Sequence, residues 1–134
     1  MELGIDIDLT GDVIEWQKLL NGTQIVTIEG AAADGEWTLS GGLSWNVRTG
    51  SGAGEGDVIL ARSDGSELFG SLNGGDVREI AGDDAERADY AMRLTYEIDG
   101  GSGEFETAAG NATAEGTLSR ESFAGRWRIE ISLS

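Results

Sequence analysis

Apolar and polar residues alternate along most of this chain, and the alternation has a period of two. Leu3, Ile5, Ile7 and Leu9 are interleaved with Glu2, Gly4, Asp6 and Asp8, the pattern of a strand with one dry face and one wet face. Late in the chain Tyr90, Met92, Leu94, Tyr96 and Ile98 alternate with Ala91, Arg93, Thr95 and Glu97. Phe123, Gly125, Trp127, Ile129, Ile131 and Leu133 do the same against Arg126, Arg128, Glu130 and Ser132. Between these two, Ala112, Ala114, Gly116 and Leu118 form an inner face of unusually small residues. Residues 24–29 read as a further strand. Trp37 with Leu39, then Leu43, Trp45 and Val47, predict two short strands joined at Gly41 and Gly42. Residues 12–20 fit either alternation, through Ile14, Trp16 and Leu20, or a short helix, through Val13, Trp16, Gln17 and Leu20.

Glycine punctuates these segments, at Gly50-Ser51-Gly52, Asn73-Gly74-Gly75 and Gly100-Gly101 among others, where turns are expected. Ser63-Asp64-Gly65 lies between residues 55–62 and 66–72 and predicts a tight hairpin, because Asp-Gly supplies the positive φ that such turns need. Residues 81–88 are polar and aperiodic, which predicts a surface loop. Eight to ten short, evenly spaced strands imply a sandwich or a barrel, and closure removes the open edges that invite aggregation. The expectation is therefore one all-β domain over residues 1–134, a small closed antiparallel barrel.

The chain has 25 acidic residues, nine basic residues and a formal charge of −16. Such a charge repels phosphate backbones and anionic lipid heads, so neither nucleic acid nor a membrane surface is expected as a partner. There is no His and no Cys. This rules out Ser-His-Asp and Cys-His nucleophiles, disulfides, and the usual zinc ligand sets, and no metal or other cofactor is expected. The acidic run Asp83, Asp84, Glu86 and Asp89 lacks the alternating ligands of a calcium loop and reads as solvated. No apolar run is long enough to span a bilayer and the first residues do not resemble a signal peptide. The expected location is cytoplasmic, or secreted if a signal has been removed.

Carboxylates, Tyr, Arg, Lys18, amides and backbone groups remain for chemistry. An eight-stranded barrel is just wide enough to be filled by side chains or to hold one small ligand, and Ala112, Ala114, Gly116 and Gly125 favour the second. If the apolar faces point inward, Trp37, Trp45, Met92 and Trp127 line a mainly apolar pocket, with Tyr90 and Tyr96 as its polar handles. The alternative is plain core packing. Gln24 stands in line with Val26 and Ile28, so its amide must find either a ligand or a hydrogen bond at the barrel rim. Tyr96, Tyr90 and Gln24 are thus the candidate catalytic groups. Arg126 and Arg128 share the outer face of the last strand and are given no catalytic role.

Residues 96–110, Tyr-Glu-Ile-Asp-Gly-Gly-Ser-Gly-Glu-Phe-Glu-Thr-Ala-Ala-Gly, resemble the Gly-Gly-[Ser/Thr]-Gly-x-Phe signature of allene oxide cyclase-like and dirigent-like barrels. The segments 54–61 and 63–70 resemble the hairpin that precedes it in bacterial members. The resemblance covers residues 54–133 and implies an eight-stranded antiparallel barrel with an apolar cavity, with Phe105 plugging its floor. It further implies a cyclase or isomerase, similar to the spirotetronate-forming enzymes, that folds a polyketide- or lipid-like substrate for ring closure. Homodimers or homotrimers built through outer faces are implied as well. Asp6 resembles in position a barrel carboxylate of the plant enzymes, but alternation turns it outward with Asp8. Two further readings share the fold: a barrel that carries a hydrophobic metabolite without reaction, and a structural protein with a filled interior.

Overall fold

The computed structural model describes residues 1–46, 55–79 and 90–134. Eight strands follow one another in chain order: β1 (Glu2–Lys18), β2 (Thr23–Ala32), β3 (Trp37–Asn46), β4 (Asp57–Arg62), β5 (Glu67–Glu79), β6 (Tyr90–Ser102), β7 (Ala109–Leu118) and β8 (Ser122–Ser132). Each pairs antiparallel with the next, and β8 returns to β1 from Glu2↔Ser132 to Asp12↔Ser122. The sheet is therefore a closed barrel. Closure follows from the pattern: Leu9, Val26, Leu39, Leu60, Leu68, Leu94, Ala114 and Trp127 are all buried on the inner side. Outward positions such as Asp6, Arg93, Arg126, Arg128 and Glu130 are exposed. An apolar interior and a charged exterior are the reverse of a barrel that faces lipid. Among the described residues no helix is long and apolar enough to cross a membrane.

The ambiguous segment 12–20 is strand as far as Lys18. Its mixed periodicity has a physical cause, since the pairing of β1 with β2 shifts by one residue between Val13 and Glu15. Such a bulge reverses which face later residues occupy. Val13 and Trp16 thus both face the core, while Ile14 is 55% exposed.

Three expected turns are instead strand, and one of them, Gly100-Gly101, lies near the end of β6 with Gly101 paired to Leu68. Gly41 and Gly42 lie within a continuous β3, paired with Ile28 and Thr27 of β2. Neither has positive φ. A Cβ on Gly41 would come within 2.3 Å of the Asp57 carbonyl oxygen, so glycine is there to let β4 cross closely. Asn73-Gly74-Gly75 lies inside β5, beside a register shift between Leu72 and Gly74, and Gly75 takes φ 115°. The Ser63-Asp64-Gly65 hairpin is as expected, with Gly65 at φ 92°. Val47, Gly50-Ser51-Gly52 and the loop 81–88 lie outside the described residues.

One end of the barrel is closed. A 3-10 turn, Gly103–Phe105, follows β6 and buries Phe105 to 1% exposure. Trp37 stacks on Phe105 at 5.9 Å, and the Arg62 guanidinium sits 4.7 Å above the same ring. Arg62 also donates to Asp64 at 2.6 Å and to Glu104, tying the β4–β5 turn to the 3-10 turn. This is the floor expected from Phe105.

Candidate functional site

The inner wall formed by β6, β7, β8 and β1 is built in rows across the hydrogen-bonding direction. In order, the rows are Tyr96, Ala112, Ile129, Ile5; then Leu94, Ala114, Trp127, Ile7; then Met92, Gly116, Gly125, Leu9; then Tyr90, Leu118, Phe123, Gly11. Tyr96 and Trp127 flank β7 from opposite sides, on strands about 10 Å apart. Their rings nevertheless stack with centroids 5.1 Å apart at 28°. They can do so because Ala112 and Ala114 present only methyl groups over which both rings lean. The space expected above those two alanines is thus taken by Tyr96 and Trp127, and room for a further group remains at Gly125, where an added Cβ would meet its neighbours at 3.4 to 3.8 Å.

Both stacked side chains carry a polar atom into this apolar setting. Tyr96 Oη and Trp127 Nε1 are fully buried and have no hydrogen-bond partner among the described residues. Each such group costs about 1–3 kcal/mol of desolvation that nothing among the described residues offsets. Burial pushes the Tyr96 phenol well above its ordinary range, so at neutral pH it is a neutral donor. An indole N–H can only donate. The middle of the barrel therefore holds two unpartnered donors, of which only the phenol oxygen can also accept.

A second aromatic cluster lies towards the end opposite the Phe105 floor. Trp16, Trp45 and Tyr90 meet with centroids 5.4 to 5.7 Å apart. Trp45 is buried, whereas Trp16 and Tyr90 are half-buried. Trp16 Nε1 donates to Gln24 Oε1 at 2.8 Å, and the Arg120 guanidinium stands 5.5 Å from the Trp16 ring. Gln24 thus has the rim hydrogen bond that a buried amide requires, and its acceptor oxygen is engaged by Trp16.

The residues singled out in the sequence fall into three groups. Tyr96, Trp127 and Met92 line the middle of the barrel. Tyr90, Trp45 and Gln24 stand together at the end opposite the floor. Trp37 belongs to the floor: Trp45 lies eight positions further along β3, roughly 26 Å along an extended strand. Trp16 was missing from the candidates because its inward orientation depends on the β1 bulge, which no local alternation announces. Arg120 was missing because a cation on a hairpin turn normally reads as solvated.

The exterior offers a different kind of feature. Arg93, Thr113, Glu115, Arg126 and Arg128 line a groove of about 330 Å³ on the outer face of β6, β7 and β8. Arg93 lies 3.3 Å from Glu115, and Arg126 clamps Asp6 through two bonds of 2.9 and 2.8 Å. The arginines are thus engaged by acidic neighbours in an exposed network.

No protein-family model, curated protein or solved structure matches this chain.

Proposed function

We propose that the barrel interior binds a small, mainly apolar molecule and folds it for ring closure or isomerisation. The observation that carries this reading is the stacked Tyr96–Trp127 pair, with two buried donors unpartnered in an otherwise apolar interior. Apolar walls with a few placed polar groups are the ordinary composition of a small-molecule site. A neutral phenol held against aromatic surface can polarise a carbonyl as charge develops on its oxygen. Confinement brings reacting carbons into near-attack geometry. Such chemistry requires neither His nor Cys. The resemblance of residues 96–110 to allene oxide cyclase-like barrels supports the same reading, as does the aromatic cluster at the end opposite the floor.

Acetophenone, a compact aromatic ketone, is a suitable probe of the site. Isothermal titration should show binding to the wild type and about tenfold weaker binding to Tyr96→Phe, the loss expected when one hydrogen bond to a buried donor is removed. Equal affinity for both proteins, or no binding to either, would contradict the reading. Catalysis has its own readout. A flexible polyene ketone incubated with the wild type should give a cyclised product faster than with Tyr96→Phe, whereas binding without turnover would identify a carrier.

A further inference from the structure

Resting on the interior-binding reading, we propose that the notch at Gly125 seats the ligand's hydrogen-bond-accepting oxygen. The ligand is accordingly neutral, a ketone, ester or ether. Gly125 faces inward between Phe123 and Trp127, directly opposite Gly116. A Cβ built on Gly125 would lie 3.7 Å from Trp127 Nε1, 3.8 Å from Met92 Cε and 3.4 Å from the Glu115 carbonyl oxygen. All three are ordinary contact distances, so the wall has space for a methyl-sized group at this point. The unpartnered Trp127 N–H borders that space, with its side chain only 1% exposed.

What belongs there follows from the chemistry of the walls. Trp127 Nε1 offers one donated hydrogen bond, the Glu115 carbonyl oxygen one acceptor, and the Met92 methyl neither. A buried water typically makes about three hydrogen bonds, more than these two groups supply, so this notch suits an oxygen attached to an apolar body better than a free water. Charge is excluded on similar grounds. Gln24 and Ser66 are the buried polar residues, and no Lys, Arg, Asp or Glu is buried among the described residues. A carboxylate or ammonium inside would lie unpaired in a low-dielectric setting, at a cost of several kcal/mol.

The test compares acetophenone with α-methylstyrene, its alkene isostere, and with benzoate, by isothermal titration. The wild type should bind acetophenone at least ~10-fold tighter than either of the others. Gly125→Ala fills the notch at contact distances and should reduce that preference while its thermal midpoint stays close to that of the wild type. Trp127→Phe, which removes this donor and leaves the notch and the Tyr96 hydroxyl, should likewise narrow the gap between ketone and alkene. If ketone and alkene bind the wild type equally and Gly125→Ala changes nothing, the notch assignment fails while interior binding stands. If benzoate binds tightest, the neutral-ligand assignment fails. If none of the three binds, the interior-binding reading falls and takes the notch with it.

Discussion

Tyr96 gathers most of what a single residue contributes here. Its inward orientation could be read from alternation with Arg93, Thr95 and Glu97, but its isolation could not, because the ring it stacks on belongs to a strand two places away. An unsatisfied buried hydroxyl destabilises the protein that carries it. Tyr96→Phe should therefore leave the ligand-free protein as stable as the wild type, or more stable by about 1 kcal/mol, in urea denaturation. A loss of more than about 2 kcal/mol would mean that the hydroxyl has a partner within the protein. Gln24 shows the complementary case. A polar residue on an apolar face was visible in the sequence, whereas its partner Trp16 depended on the bulge. On the surface, the hydrogen bonds from Arg126 hold the Asp6 carboxyl below the usual carboxylate range. The folded value lies below the unfolded one near 4. The pair thus contributes above that pH, and its contribution is lost as pH falls through the lower, folded value. Carbon-detected NMR titration should show Asp6 ionising at lower pH in the wild type than in Arg126→Ala.

At the scale of elements, the strands themselves were the most legible feature and the glycines within them the least. Alternation located β1, β6 and β8 because one face of each is dry. Gly41-Gly42 and Asn73-Gly74-Gly75 looked like turns because glycine in a turn and glycine under a crossing strand are the same letter in sequence. The distinction lies in what a side chain would meet. On Gly116 a Cβ would come within 1.9 Å of the Ala124 carbonyl oxygen and 2.5 Å of the Gly125 Cα, both backbone atoms that cannot swing aside. Gly116→Ala should cost about 2–4 kcal/mol in chemical denaturation. Gly4 has nothing within 4 Å of such a Cβ, so Gly4→Ala is the matched control and should fall within about 0.5 kcal/mol of wild type. Similar losses at both positions would argue that glycine acts through the unfolded chain and not through strand crossing.

The whole molecule is a barrel with one floor and two aromatic layers, and these follow from where each ring falls along its strand. Trp37 and Phe105 close one end, Tyr96 and Trp127 occupy the middle, and Trp16, Trp45 and Tyr90 stand at the other. Strand count and closure were legible because every apolar face needs a neighbour, and eight strands joined in order satisfy them all. The layering was not, because it depends on the stagger between strands, which pairing sets and alternation does not reveal. The central claim is that the middle layer receives an acceptor from outside the protein. The most direct measurement is the indole N–H resonance of Trp127 in a proton–nitrogen correlation spectrum, assigned with Trp127→Phe, during titration with acetophenone. A downfield proton shift at Trp127 that saturates, with the floor residue Trp37 unchanged, is the predicted result. A Trp127 resonance that stays fixed while acetophenone binds would contradict it.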